Sequence, residues 1–144
     1  MGAAGLIATG GSPRRLPFGG EDIIYFRTLD DYQRLRALTD ARQQFAVIGG
    51  GFVGSEIAAA LAMNGKKVVM AFPDEGIGGR TFPSDLAGYL NEYYRQKGVE
   101  VPQGQRAVGL EMGGGRAVLK LRSVQGEAER EIELARQAGL ELEN

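Results

Sequence analysis

Gly49, Gly51 and Gly54 stand in G-x-G-x-x-G spacing within Ala46-Val47-Ile48-Gly49-Gly50-Gly51-Phe52-Val53-Gly54-Ser55-Glu56. That spacing suits a strand that turns sharply into a helix. Gly49 allows the turn, Gly51 has no side chain to block a phosphate approaching the backbone, and Gly54 lets the helix pack closely on the sheet. A helix start offers N–H groups and the positive end of its dipole, so a pyrophosphate is the ligand such a corner favours. The same corner can be purely structural, and a lone match means little in a chain with 23 glycines among 144 residues. Context strengthens it. Phe45-Ala46-Val47-Ile48 precedes the glycines as a buried strand, and residues 52–64 follow as an Ala- and Leu-rich helix stopping at Asn64-Gly65. The chemistry indicated is dinucleotide binding.

The second half of that fingerprint is an acid roughly 20 residues on, which binds ribose hydroxyls. A second strand over 67–71 ends in Phe72-Pro73-Asp74-Glu75. Phe72 holds the place directly after the strand, and Asp74 and Glu75 reach the ribose from the loop or are simply solvated. No Lys or Arg lies in 72–79. A 2′-phosphate would therefore meet two carboxylates, which favours NAD over NADP. Arg80 could meet a ribose or a phosphate, or be a surface charge. Glu56 is placed in the first helical turn, where the dipole alone explains a carboxylate. Phe52 could cover a ring in the site or anchor the helix.

The remaining chain must position those residues. Residues 13–27 carry Pro13, Pro17 and Gly19-Gly20 and read as a loop after a short apolar run, Leu6-Ile7-Ala8. Thr28 with Asp31 resembles a capping box, and Leu29, Tyr32, Leu35 and Leu38 share one helical face. From Ser84 a helix is expected with Leu86, Tyr89, Leu90 and Tyr93 inward, stopping at Gly98 before a short strand at 99–101. Segments 107–112, 117–123 and 129–133, separated by glycine turns, read as an antiparallel meander. Residues 134–139 read as a helical turn. The fold class expected is α/β: a Rossmann-like parallel sheet flanked by helices, with a small antiparallel β-meander.

Composition excludes several chemistries. With neither cysteine nor histidine there is no thiolate nucleophile, no disulfide and no Ser-His-Asp triad. No catalytic residue and no metal ligand set is expected. A formal net charge of −1 gives no basic stripe for nucleic acid, and no apolar run approaches a membrane span. A cytoplasmic location is the expectation.

Ile7-Ala8-Thr9-Gly10-Gly11-Ser12-Pro13-Arg14, VIGGGFVGSE at 47–56 and AFPDEGIGGRTFP at 71–83 resemble the FAD- and NAD(P)H-dependent reductases with two dinucleotide-binding domains. The apoptosis-inducing-factor and ferredoxin-reductase-like branch is the most similar. The resemblance implies a flavoprotein oxidoreductase in which hydride passes from NADH to FAD. It implies that residues 1–27 are a remnant of the FAD domain and 28–144 the NAD(H)-binding domain. By position, Gly50, Gly51, Phe52 and Val53 match the NAD-contacting turn, Asp74 the ribose acid, Arg80 a basic NAD contact, and Glu56 an acid near the nicotinamide. The FAD domain is absent from the sequence, so FAD belongs to the intact parent only, and the missing FAD domain is an expected partner alongside NADH. The family's strand between the meander and the Leu134-Ala135-Arg136-Gln137-Ala138-Gly139-Leu140 segment is also missing. Its loss near 133/134 would leave the 45–48 strand with an open edge, to be met by Leu6–Ala8, by a second chain in a homodimer, or by residues 134–140 folding over it, the first two being favoured because 134–140 is short and reads helical. The alternatives are a non-catalytic dinucleotide-sensing module and a purely structural fragment.

Overall fold

In the computed structural model, residues 10–114, 116–126, 129–135 and 138–142 are described. The Leu6-Ile7-Ala8 run lies outside them. The helices and strands run β1 (Ile23–Tyr25), α1 (Leu29–Ala41), β2 (Gln44–Ile48), α2 (Phe52–Met63), β3 (Lys67–Ala71), α3 (Ser84–Gln96), β4 (Val99–Glu100), β5 (Gln105–Gly113), β6 (Arg116–Ser123), β7 (Glu129–Ala135) and β8 (Ala138–Leu142). A parallel sheet has the order β1-β8-β2-β3-β4, and β5-β6-β7 form a separate antiparallel sheet.

β2 is buried from Phe45 to Ile48, and successive side chains point to opposite faces. Phe45 and Val47 join Val68 and Met70 of β3, Leu35 of α1 and Ile57, Ala58 and Leu61 of α2 in one core. Ala46 and Ile48 join Val69 and Ala71 in another, against Ala107, Ala117, Leu119, Leu121 and Leu134 of the antiparallel sheet. The parallel sheet is thus the middle of three layers. Both faces are covered, which is why β2 and β3 read as unbroken apolar runs.

α2 ends as its sequence requires. Gly65 takes φ 75°. Its N–H donates to Ala62 O at 2.9 Å, and the Lys66 N–H donates to Leu61 O at 3.0 Å. That is the Schellman pattern, which needs a residue free of the left-handed penalty.

Five expectations are corrected. Residues 20–22 form a single 3-10 turn and 23–25 form β1, where a loop was expected; Ile23-Ile24-Tyr25 is apolar enough to be buried between neighbours despite the glycines before it. Residues 134–135 belong to β7 and 138–142 to β8, not to a helical turn. β8 pairs parallel with β2, Ala46 opposite Leu140, and with β1, Ile23 opposite Leu140. The expected open edge of β2 is therefore filled. On α3 the inward residues are Ala87, Leu90, Asn91 and Tyr94, whereas Leu86, Tyr89 and Tyr93 are exposed. On α1 only Leu35 is buried, Leu38 packs at the rim of the core, and Leu29 and Tyr32 are exposed. On α3, small Ala87 and polar Asn91 face inward because the loop at 75–77 lies against them.

Candidate functional site

β2 and β3 run side by side, so their carboxyl ends deliver two turns to one place. After β2, Gly49 adopts φ 133°, a left-handed conformation that favours glycine, and its N–H donates to Ala71 O at 2.9 Å. Gly50 follows directly above Phe72. A Cβ there would lie 2.6 Å from the ring's Cγ, and the ring is 1% exposed. Phe72 thus props the glycine turn from beneath. Gly51 is the N-cap of α2 and supplies no side-chain cap, so the donors of that first turn are left to backbone, water or ligand.

The loop after β3 folds back onto this turn. The Gly78 N–H donates to Gly50 O at 2.6 Å. Asp74 is half-buried, and its carboxylate pairs with Arg80 Nε at 3.2 Å. The Arg80 side chain is largely exposed, and such pairs contribute about 0–1 kcal/mol, so the guanidinium can leave Asp74 for an incoming anion. Phe82 meets Phe52 edge-on, ring centres 5.7 Å apart. On the far side of α2, the Tyr94 hydroxyl donates to Ser55 O at 3.0 Å, and burial pushes that phenol above its ordinary pKa.

Between the two turns lies an open cleft of about 650 Å³. It brings together Gly49, Gly50, Gly51, Asp74 and Arg80 from the residues singled out by sequence. Phe52, Val53, Gly54, Glu56 and Glu75 do not line it. Phe52 and Val53 are exposed beside it, Gly54 is buried within α2, and Glu75 is exposed. Glu56 is the fifth residue of α2, one step past the first turn in which it was expected, and is exposed. Ser12, Arg14 and Arg106 also line the cleft and were not singled out. Arg106 comes from β5, so only the packing of the antiparallel sheet on β2 brings it near. Ser12 and Arg14 lie in the Gly10-Gly11-Ser12-Pro13-Arg14 run, where sequence gave them no partner. Among the described residues no group of acids could hold a metal ion, and no helix is long and apolar enough to cross a membrane.

A family model described as pyridine nucleotide-disulphide oxidoreductase matches residues 3–137. Monodehydroascorbate reductase 4, cytosolic, of Oryza sativa subsp. japonica is 37% identical over 114 residues, 74% of this chain and 26% of that protein. Apoptosis-inducing factor 1, mitochondrial, of Dictyostelium discoideum is 36% identical over 107 residues, 69% and 20% respectively. A solved ferredoxin reductase from Rhodopseudomonas palustris superposes with a TM-score of 0.79 at 25% identity, over 94% of this chain and 33% of that one. The chain spans about a quarter of the length of the first of these relatives and a fifth of the second.

Proposed function

The chain belongs to the pyridine nucleotide-disulphide oxidoreductase family, and from that premise we propose that it is the NAD(H)-binding domain of a flavin-dependent oxidoreductase. In the intact protein it presents NADH for hydride transfer to FAD. The observation that carries this is the cleft itself: the Gly49–Gly51 turn, Asp74 and Arg80 converge on one opening at the carboxyl ends of β2 and β3. Ligands of open parallel sheets bind there.

The residues fit the dinucleotide. A pyrophosphate is received by the bare backbone of Gly50 and Gly51 and by the first turn of α2, with Phe52 and Val53 at its rim. Asp74, with Glu75 next to it, accepts from ribose hydroxyls, which supports NAD over NADP. Arg80 neutralises phosphate charge once released from Asp74. Glu56 and Phe52 lie on the same helical end and fit the nicotinamide side of the ligand. Bound NADH supplies the hydride; the chain's own residues bind it and orient it. FAD is held by polypeptide beyond this chain, with residues before 28 as the connection to it. A cytoplasmic setting is part of this reading, supported by the cytosolic rice relative, although the Dictyostelium relative is named as mitochondrial.

Titration of NADH fluorescence against the purified chain tests the reading. Saturable binding with no NADH oxidation is expected, and turnover is expected only after a flavin-bearing domain is added. A chain that leaves NADH fluorescence unchanged at every concentration refutes it. Binding that never supports turnover with such a domain would move the reading to a non-catalytic sensing module.

A further inference from the structure

The loop that carries Asp74 and Arg80 does not stand by its own turns alone. Its middle is tied to α3. Asn91 Oδ1 accepts from the Ile77 N–H at 2.9 Å, and Asn91 Nδ2 donates to Glu75 O at 2.9 Å. Asn91 is 0% exposed, the one polar side chain in the buried set among the described residues. One turn earlier on the same face, Ala87 touches the loop: a Cβ on Gly76 would lie 2.8 Å from Ala87 backbone. Ile77, one of the two tied residues, is 2% exposed and sits in the helix-side core.

The consequence runs outward from Asn91. Its acceptor fixes Ile77, whose neighbour Gly78 donates to Gly50 O in the glycine turn. Its donor fixes the carbonyl of Glu75, whose neighbour Asp74 carries the carboxylate facing the cleft. A side-chain amide is suited to this because it offers an acceptor and a donor on one planar group. An apolar residue of equal size would leave a buried N–H and a buried C=O without partners. We infer that Asn91, which does not line the cleft, is the positioning residue that sets Asp74 and Arg80 for reading the adenosine ribose; this rests on the NAD(H) reading above.

The test uses the full chain with Asn91→Leu, which removes both bonds, and Asn91→Asp, which keeps the acceptor for Ile77 but loses the donor. Amide exchange is read at Ile77 and Gly78 against Val47 and Val69 in the sheet. NADH and NADPH are titrated in parallel. In Asn91→Leu, Ile77 and Gly78 should exchange at least about tenfold faster while the sheet amides keep their rates. The ratio of the NADPH to the NADH dissociation constant should fall roughly tenfold, because the two ligands differ only at the ribose position that Asp74 faces. Asn91→Asp should keep Ile77 protected and shift the ratio less; it carries the test if the leucine variant does not fold. A purely structural role would weaken both ligands equally, so an unchanged ratio with a released Ile77 amide overturns the inference, as does unchanged exchange. If the wild-type chain binds neither nucleotide, the NAD(H) reading fails, and exchange at Ile77 alone decides whether Asn91 holds the loop.

Discussion

Gly50 and Gly51 are adjacent, yet the structure gives them different reasons to lack a side chain. At Gly50 the obstacle is internal, since a Cβ would press on the buried Phe72 ring. Gly50→Ala should cost about 1–3 kcal/mol of stability by overpacking. Denaturant midpoints check this, and combining it with Phe72→Leu should recover part of the loss. At Gly51 the backbone is extended, φ −84°, and the residue is exposed, so a side chain meets no left-handed backbone penalty there. Gly51→Val should leave far-UV circular dichroism unchanged and raise the NADH dissociation constant by about tenfold or more. Unchanged affinity in that folded variant would remove the glycine turn from the binding reading. Asp74→Arg is expected to release Arg80 and to move preference toward NADPH, read as the ratio of the two dissociation constants.

α1 depends on its first turn more than on its packing, because Leu35 is its one buried residue. Thr28 Oγ1 accepts from the Asp31 N–H at 3.2 Å, and the Asp31 carboxylate accepts from the N–H groups of Thr28 and Arg27 at 2.8 and 3.0 Å. Desolvation alone would raise the Asp31 pKa; the hydrogen bonds from Thr28 and Arg27, with Arg34 nearby, outweigh it and hold the carboxyl below 3.8. A carboxylate depressed in the folded state stabilises it fully above the unfolded value and loses that contribution as pH falls through the folded one. Thr28→Ala should therefore cost about 1 kcal/mol at neutral pH. The Asp31→Ala deficit, read by thermal unfolding, should be full at neutral pH and shrink as pH falls below the ordinary carboxylate range. This box was legible in the sequence, as were β2, the glycine turn, α2, β3 and the meander, since each has a local signal: an apolar run, a turn glycine or a cap. β1 and β8 were not. Three apolar residues after a Gly-Pro-rich stretch, and the five residues Ala138–Leu142, become strands only because the sheet offers them an edge. The cleft was half legible for the same reason. Gly49–Gly51, Asp74 and Arg80 follow chain-local rules, while Arg106 and Asn91 act across the fold from β5 and α3.

Across the whole molecule, β8 is the piece on which the parallel sheet depends. It contributes one ladder to β2 and another to β1, so both of its edges are engaged. Leu140→Pro removes an N–H from the middle of that strand, where proline is not tolerated. The expected result is loss of about 3 kcal/mol or more, with β1 amides losing exchange protection together with those of β8. The unpaired β2 edge that suggested a homodimer is then recreated, and sedimentation at several concentrations should show self-association in the variant beyond that of the wild type. The spatial order β1-β8-β2 also has a kinetic meaning. Among the described residues the earliest strand pairs only with the last, so β1 waits for residues 138–142 before it has a ladder. β2, α2 and β3 are close in sequence and can assemble first; the far edge requires closing a loop that encloses the meander and all three helices, an entropic cost met late. Pulse-labelled refolding should accordingly protect Val47 and Val69 early and Ile24 last. While that closure is pending, the edge of β2 stands open, so the chain is most prone to join a second copy during folding, not after it.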